Sequence, residues 1–454
     1  MNTNTNTDAI VLFVCICVFV CICAATGIAI TAVKIPQVQA AAKAPSASAV
    51  PISLTTETWV VVGAGLTAMS CIRRLPDALR ALITIREASK RIGGRTTSTS
   101  QAVTPVSTET SPWEFGAWAY RPFAHPNVSA LLDELGVASV SIQIVTPYTF
   151  IWTPTTNRLP YTALPADNAE SINTDEDAVW FAHTGFRRCD VPRVDTAVLR
   201  RLDAPQSALL PVGFGWQDVV LRGIGTVPVL YDRRLARVDV SSDAPFRIQL
   251  TYASGNVEMV NGVVLTLPPP AMSAIQNLPG DTAALIRNAF TTTSAGVLYV
   301  TWTAMDVWWP KAGFYTGMVA TCLPIGRICV TSSNDLRCTM SGDADVAFWS
   351  NLIIEKGERA AAAIVAEQLS IVFNVVVPLP ASVTYKGWMQ AVSFWNRGYA
   401  NESTAATLSR PWGNHVPIWW NCSDLSDDPG WAEGAVVAGA TAARNVSEYV
   451  FLQQ

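Results

Sequence analysis

The sequence predicts an α/β fold with a doubly wound parallel sheet, preceded by a transmembrane helix. Three observations support this prediction. The β-branched run Trp59–Val62 passes directly into a glycine-rich turn and a helical pattern. A second strand pattern over Ala81–Ile85 is followed by an acidic residue, Glu87. An uncharged apolar run covers Ala9–Val33.

Composition sets the broad class of the protein. The chain has 454 residues, of which 50% are hydrophobic and 15% charged, and its net charge is -4. A disordered chain needs low hydrophobicity and high net charge, so bulk disorder is excluded. Nucleic-acid binding is not predicted, because no basic domain or stripe stands out. No cysteine pair has CxxC spacing and the three histidines show no ligand spacing, so no metal site is predicted. The sequence indicates no oligomeric state.

The apolar run near the N-terminus is long enough to span a membrane, which takes about 20 residues. A cleaved signal peptide usually has an apolar region of only about 7–15 residues after a basic start, and this start has no Lys or Arg. We therefore predict a single-pass anchor over residues 1–33 and a flexible linker over 34–56, which is rich in Ala, Pro, Ser and Thr. Lys34 and Lys43 favour a cytosolic globular part, but two lysines leave the side of the membrane open.

The turn after the first strand reads G-A-G-L-T-A, the G-x-G-x-x-A form of the dinucleotide-binding fingerprint. The first glycine allows the tight turn, and the second lets a pyrophosphate approach the backbone. The final alanine is small enough for the helix to pack on the strand. The helix N-terminus offers N–H groups to the phosphates. The predicted cofactor-binding residues here are Gly63, Ala64, Gly65, Leu66 and Ala68.

Two further features extend this fingerprint. Glu87 lies 24 residues after Gly63, close to the spacing of about 20 at which an acid bonds the ribose hydroxyls. Arg91–Arg95 then reads R-I-G-G-R. Its glycine pair allows backbone to approach a ligand, and Arg95 can hold a phosphate in a bidentate manner.

With these motifs, the stretch from Val60 to Thr97 resembles the flavin-containing amine oxidase superfamily. That group includes monoamine and polyamine oxidases, L-amino-acid oxidases and related desaturases. The resemblance continues through Glu114–Trp118, Arg234–Val238 and Gly430–Ala435. It implies FAD as cofactor, with Val238 contacting the adenine through its backbone. The further cofactor-binding residues that it implies are Gly94, Arg95, Gly116, Ala117, Val238, Asp424, Trp431 and Ala432.

The scattered matches imply two interleaved domains, a doubly wound FAD-binding Rossmann-like domain and an α+β substrate domain. The FAD-binding segments are residues 57–137, 211–275 and 386–454. The substrate segments are residues 138–210 and 276–385.

The resemblance implies hydride transfer from the C–N bond of an amine or amino acid to the flavin, for which the protein supplies position and electrostatics. In the family an aromatic pair flanks the substrate amine. Trp431 matches one member of that pair, and Trp395 or Tyr399 is the candidate for the other. Core packing is the alternative reading of these two aromatics, because the chain has 16 Trp.

The sequence departs from the family at two places. Many family oxidases hold a lysine near the flavin, but the corresponding strand, residues 296–302, contains none. Oxidase activity therefore stays open. The family's A-G-[ED] segment appears with Cys422 in place of the glycine and with Asp424 as the acid after a one-residue slip. Two alternatives remain: renalase-like oxidation of dihydronicotinamides, or a non-catalytic FAD-binding protein, which the missing lysine favours.

Overall fold

The computed structural model describes residues 58–99, 113–143, 146, 149–160, 181–182, 193–194, 207–211, 215–242 and 247–452. Residues 55–454 form one compact unit. The predicted anchor and linker lie outside the described residues. Within the described ranges, no helix combines the length and apolar character that crossing a membrane requires.

Nineteen strands are described, and they belong to five sheets. In chain order they are β1 Trp59–Val62, β2 Ile83–Arg86, β3 Ser98–Thr99, β4 Trp113–Glu114, β5 Ser139–Gln143, β6 Phe150–Trp152, β7 Leu159–Pro160, β8 Ser207–Pro211, β9 Val229–Leu230, β10 Leu235–Val240, β11 Ile248–Tyr252, β12 Val257–Val260, β13 Gly262–Leu265, β14 Phe290–Thr301, β15 Met318–Thr321, β16 Arg327–Val330, β17 Asp335–Ser341, β18 Ser382–Trp395 and β19 Ile418–Trp420.

The helices of the described ranges follow the same order. They are α1 Leu66–Arg74, α2 Asp77–Arg80, α3 Pro126–Glu134, α4 Trp216–Ile224, α5 Pro269–Ser273, α6 Thr282–Ala289, α7 Asp343–Phe373, α8 Glu402–Ser409 and α9 Ala432–Leu452.

The predicted parallel sheet is present, with strand order β19-β13-β1-β2-β9 and every pairing parallel. All four residues of β1 are buried, as expected for a central strand covered on both faces. Each of the three predicted FAD-binding segments contributes at least one of its strands. The parallel sheet thus draws strands from all three segments, and the assignment of these segments to a cofactor-binding domain stays a prediction.

One face of this sheet is covered by helices α1, α4 and α9. Helix α9 packs closely on α1 because Gly439 has no side chain: a Cβ there would lie 2.3 Å from the carbonyl oxygen of Thr67. The Ser70 hydroxyl also donates to the Val436 carbonyl, at 2.6 Å. Ala68 of α1 is fully buried in this layer, as its place in the fingerprint predicts.

The opposite face departs from the predicted doubly wound arrangement. Its main cover is the antiparallel sheet β10-β11-β12, joined by residues of the short helices α5 and α6. The alternating burial of β11 explains this cover, because Ile248, Leu250 and Tyr252 all point into the same core. The domain built around the parallel sheet therefore has three layers: helices, the parallel sheet and the antiparallel sheet.

The predicted substrate domain contains a seven-stranded mixed sheet of order β18-β14-β17-β16-β15-β6-β7. The long helix α7 covers one face, and the helical backbone is interrupted at Gly357, where φ is +80°. Strand β18 has 14 residues and runs through the predicted domain boundary between residues 385 and 386. Two small antiparallel pairs, β3 with β4 and β5 with β8, complete the described sheets.

Candidate functional site

The candidate site lies at the carboxyl edge of the parallel sheet. Gly63 follows β1, Thr266 follows β13 and Asn421 follows β19, and Glu87 lies next to the end of β2. Open α/β sheets bind their ligands outside this edge, where the strand order reverses. The sheet order places β1 at this switch point, between β2 and β13.

The glycine turn leaves room for a ligand at the start of α1. Gly63 adopts φ +103°, and a Cβ there would lie 2.6 Å from Oγ1 of Thr266. Gly65 is the N-cap of α1 with φ -94°, and neither a capping side chain nor a first-turn acid is present. A Cβ on Gly65 would meet only the backbone of the second glycine element, with Gly94 Cα at 3.7 Å. An anion can therefore reach this helix terminus.

The second glycine element packs directly on the first. The Gly93 N–H donates to the Ala64 carbonyl at 2.8 Å, and Gly93 pairs with Gly65 in a parallel bridge. Gly93 and Gly94 both have positive φ, at +123° and +58°. The structure thus brings the two glycine motifs to one place, as the sequence predicted.

Glu87 is buried beside this turn. Its Oε2 accepts the Ala64 N–H at 2.8 Å, and its Oε1 accepts the N–H and the hydroxyl of Ser89 at 2.8 and 2.7 Å. Sequence reasoning missed Ser89, although a serine two residues after an acid is a recognisable turn signal. These bonds fix the carboxylate: Oε1 already accepts two hydrogen bonds, whereas Oε2 accepts one and keeps capacity for a ribose hydroxyl.

Arg95 and Asp424 form a bidentate ion pair. The two terminal nitrogens of Arg95 donate to the two oxygens of Asp424 at 2.8 and 2.6 Å. They also donate to the Ala391 carbonyl and the Ser423 hydroxyl. All four terminal N–H groups therefore have protein acceptors, and the structure pairs Arg95 with a carboxylate where a phosphate was predicted. A phosphate or ribityl contact by either residue stays a prediction.

Gly116 lies against the backbone of Arg95, since a Cβ there would come within 1.9 Å of the Arg95 carbonyl oxygen. Ala117 packs on the adjacent helical layer. Glu114, two residues before Gly116, is buried and accepts the Trp216 N–H at the start of α4, at 2.8 Å. Burial raises the pKa of Glu114 to about 8. This segment therefore positions the Arg91–Arg95 motif and α4.

The adenine contact through the Val238 backbone stays a prediction, and the structure shows which protein group its N–H contacts. The Val238 N–H donates to the Gln276 carbonyl at 3.3 Å, so this donor already has a protein acceptor. The Arg233 N–H, five residues earlier, donates to the Glu87 carbonyl at 2.9 Å. The part of this segment that lies next to Glu87 is thus Arg233 and its neighbours, which the motif alignment missed.

Trp431 and Ala432 lie at the start of α9, and Trp431 carries two side-chain contacts. The guanidinium carbon of Arg121 lies 4.7 Å from the centre of the Trp431 ring, and the His125 ring centre lies 4.7 Å away at an angle of 56°. His125 is fully buried and accepts the Arg121 N–H through Nδ1. Its pKa is lowered to about 4, first by burial and then by the Arg121 charge. It is therefore a neutral, buried residue at the N-cap of α3.

The structure does not place the other two aromatic candidates alike. Trp395 is 4% exposed and packs on Phe290, with ring centres 4.3 Å apart, so a substrate contact would need its removal from this core. Tyr399 is half-buried and lines an open cavity. Neither placement tests a catalytic role, and that role stays a prediction.

Glu433, the second residue of α9, joins this helix to α3. Its carboxylate accepts the N–H groups of Asn127 and Val128 at 3.2 and 2.9 Å, and the Asn127 side-chain amide at 2.6 Å. Sequence reasoning passed over this acid because a capping partner about 300 residues away leaves no local signal.

Residues 296–298 lie in β14 and include no lysine, whereas the neighbouring strand β18 carries Lys386. Val297 faces Phe115 and Tyr299, whereas Leu298 faces the opposite core. Lys386 of β18 lies directly opposite Val297 in the antiparallel register. Its Nζ lies 5.0 Å from the ring centre of Trp388, whose Nε1 donates to the Phe115 carbonyl.

Three buried donors near the carboxyl edge and α9 have no hydrogen-bond acceptor in the described part of the chain: Nδ2 of Asn421, Nε1 of Trp431 and Nε2 of His125. Buried donors in folded proteins are normally paired. Together with the open space in front of Gly65, they fit an acceptor-rich ligand such as a dinucleotide.

Comparison with known proteins agrees with this geometry. A family model described as an NAD(P)-binding Rossmann-like domain matches residues 61–135, a range that holds both glycine motifs and Glu87. The search of curated proteins gave no match to the sequence.

Among solved structures, a triple mutant of putrescine oxidase with redesigned cofactor binding matches with a TM-score of 0.64 at 16% identity. The match covers 87% of this chain and 99% of the putrescine oxidase chain. The chain therefore shares its fold with this amine oxidase. Together, the Rossmann-like match and this shared fold show the Rossmann-like α/β fold that the sequence predicts.

Proposed function

We propose that this protein is an FAD-dependent oxidoreductase that oxidises a C–N bond of a small amine or amino acid. The observation that carries the proposal is the glycine cradle at the start of α1, where Gly65 leaves the helix N-terminus open and Glu87 stands beside it. Gly63 to Ala68, Glu87 and the second glycine element would hold the cofactor. Bound FAD would supply the hydride acceptor.

The residues at the start of α9 suit the part of such a site where the flavin ring would accept the hydride. Ala432 opens a 21-residue helix, whose N-terminus favours negative charge nearby. The buried Trp431 indole N–H and His125 Nε2 can donate to acceptor atoms. Because His125 stays neutral above its lowered pKa, it would add a hydrogen bond without adding charge.

The charge next to Trp431 favours an amino acid over a diamine. The Arg121 guanidinium over the indole would repel a second ammonium group and attract a carboxylate. A buried arginine, Arg337, lies 4.5 Å from the ring centre of Trp118, three residues before Arg121 in the chain. In this proposal the substrate's carboxylate binds on the arginine side and its amine lies beside Trp431.

Gly65→Ala in the full-length protein tests the cofactor assignment. At φ -94° and with its nearest contact at 3.7 Å, an alanine fits the fold, but its methyl group occupies the path of a pyrophosphate. We expect wild-type protein to carry flavin near one to one and Gly65→Ala to lose most of it, while the flavin-free forms unfold at the same temperature. Equal flavin content in both proteins would overturn the assignment.

An anaerobic panel scored by flavin bleaching tests the reaction class. Bleaching by amino acids supports the proposal, and bleaching by dihydronicotinamides alone replaces it with the renalase-like alternative. A flavin that no member of the panel reduces points to a non-catalytic FAD-binding protein.

A further inference from the structure

An open cavity of about 350 Å³ lies beside the turn that follows β18. None of its lining residues belongs to the glycine cradle at the start of α1. Its lining is Arg193, Asn288, Asn396, Arg397 and Tyr399. None of these residues is acidic, and every side chain carries at least one hydrogen-bond donor.

Most of these donors are unused within the described ranges. Asn396 is satisfied, because its amide donates to the Asn288 carbonyl at 2.8 Å and its oxygen accepts from Thr291 at 2.7 Å. The side chains of Arg193, Arg397 and Tyr399 have no hydrogen bond or ion pair to any described residue. The cavity thus presents two exposed guanidinium groups and a phenol that have no acceptor in the described part of the chain.

The two arginines are held opposite each other by backbone pairing. Val194 and Asn396 form an antiparallel bridge, and the Arg397 N–H donates to the Arg193 carbonyl at 2.9 Å. Arg193 and Arg397 are therefore direct cross-strand neighbours, a relation that puts Cβ atoms about 5 Å apart. Like charges in this relation destabilise a strand pair. An anion bound between them would convert that repulsion into attraction.

We propose that this cavity binds a phosphate-bearing small molecule, whose phosphate lies between Arg193 and Arg397. A phosphate monoester carries about -1.5 to -2 charge at pH 7, which two guanidinium groups match. The planar guanidinium fork fits phosphate oxygens in a bidentate manner. The Tyr399 hydroxyl and the Asn288 amide would add neutral donors. The proposal uses none of the residues that would hold the flavin cofactor.

Titration of the full-length protein with inorganic phosphate, followed by calorimetry at constant ionic strength, tests the proposal. We expect Arg193→Gln and Arg397→Gln each to weaken phosphate binding at least tenfold. Arg74→Gln, at an exposed position on α1, is the matched control and should bind as wild type does. An absence of phosphate binding to wild type, or an equal loss in the Arg74→Gln control, would overturn it.

A second measurement separates the site from a folding defect. In phosphate-free chloride buffer, Arg193→Gln and Arg397→Gln should unfold at the same temperature as wild type or higher, because the repulsion is removed. Added phosphate should then raise the unfolding temperature of wild type more than that of either variant. If added chloride raises the unfolding temperature of wild type and of both variants as much as phosphate does, the effect is general charge screening and the proposal is wrong.

Discussion

The guanidinium of Arg121 lies over the indole ring of Trp431, with 4.7 Å between the guanidinium carbon and the ring centre. A cation on an aromatic face is the arrangement expected of an ammonium substrate in an aromatic site. Here the chain itself supplies that cation. A substrate that binds beside Trp431, as proposed, would therefore share this environment with a fixed positive charge.

We expect Arg121→Gln to raise KM for amino acids at least tenfold. For monoamines that carry no second charged group, KM should fall or stay unchanged. The reason is that the charge-assisted bond to the carboxylate is lost and the repulsion of ammonium groups is relieved. Steady-state kinetics with matched amino acid and decarboxylated amine pairs measures this. An equal rise in KM for both members of a pair would contradict it, and Arg74→Gln serves as control.

Glu433→Ala should destabilise the protein by about 1–2 kcal/mol, because α3 loses the carboxylate that caps its N-terminus. Urea unfolding measures the change. Glu448→Ala, on the exposed side of the same helix, is the control and should be near neutral. Similar losses in the two variants would show that the capping bonds contribute nothing specific.

Asp424→Asn should cost about 1.5–3 kcal/mol of stability, because the Arg95 guanidinium, whose side chain is 31% exposed, loses its charge-assisted hydrogen bonds to the buried Asp424 carboxylate. Replacing Arg95 as well should recover part of that loss, since the orphaned charge is gone. A double-variant unfolding cycle tests this coupling. Strictly additive effects would mean that the pair is energetically independent.

The free energy of unfolding should fall as pH rises from about 4.5 to 8, because Glu114 ionises differently in the folded and unfolded chain. Burial raises the pKa of this carboxyl to about 8, so the folded protein holds a proton that the unfolded chain releases in this window. Glu114→Gln removes the group, and its unfolding free energy should depend less on pH over that range. An unchanged slope in the variant would show that Glu114 ionises normally.

Val297→Lys should increase the rate at which oxygen reoxidises the reduced flavin, if the flavin binds as proposed. Of residues 296–298, only Val297 faces Phe115 without obstruction, because a Cβ on Gly296 would lie 2.5 Å from the Met340 sulfur and Leu298 faces the other core. Stopped-flow reoxidation measures the rate. Lys386→Gln is the matching variant: a slower reoxidation in it would show that the lysine opposite Val297 already promotes the reaction with oxygen.

The sequence predicts the nucleotide end of the site better than the substrate end. Gly63, Gly65 and Glu87 are joined by short local motifs whose spacing fixes their geometry, and the structure brings them together. The Glu433 cap, the Arg95–Asp424 pair and the Arg121 contact to Trp431 join residues that are far apart in sequence, so no spacing rule identifies them. The antiparallel sheet that covers one face of the parallel sheet was also not predicted. An alternating pattern over β10–β12 indicates that one face of these strands is buried, but it does not indicate which element they pack against.

Strand β18 pairs with β14 along the substrate sheet and also offers the Ala391 carbonyl to Arg95 and the Ser393 N–H to Asp424. One continuous backbone thus belongs to both halves of the molecule. A hinge between the halves would have to break these bonds, so wholesale opening and closing is disfavoured as a means of admitting substrate. Entry and exit then depend on side-chain rotation and loop movement, and turnover should tolerate a rigid scaffold.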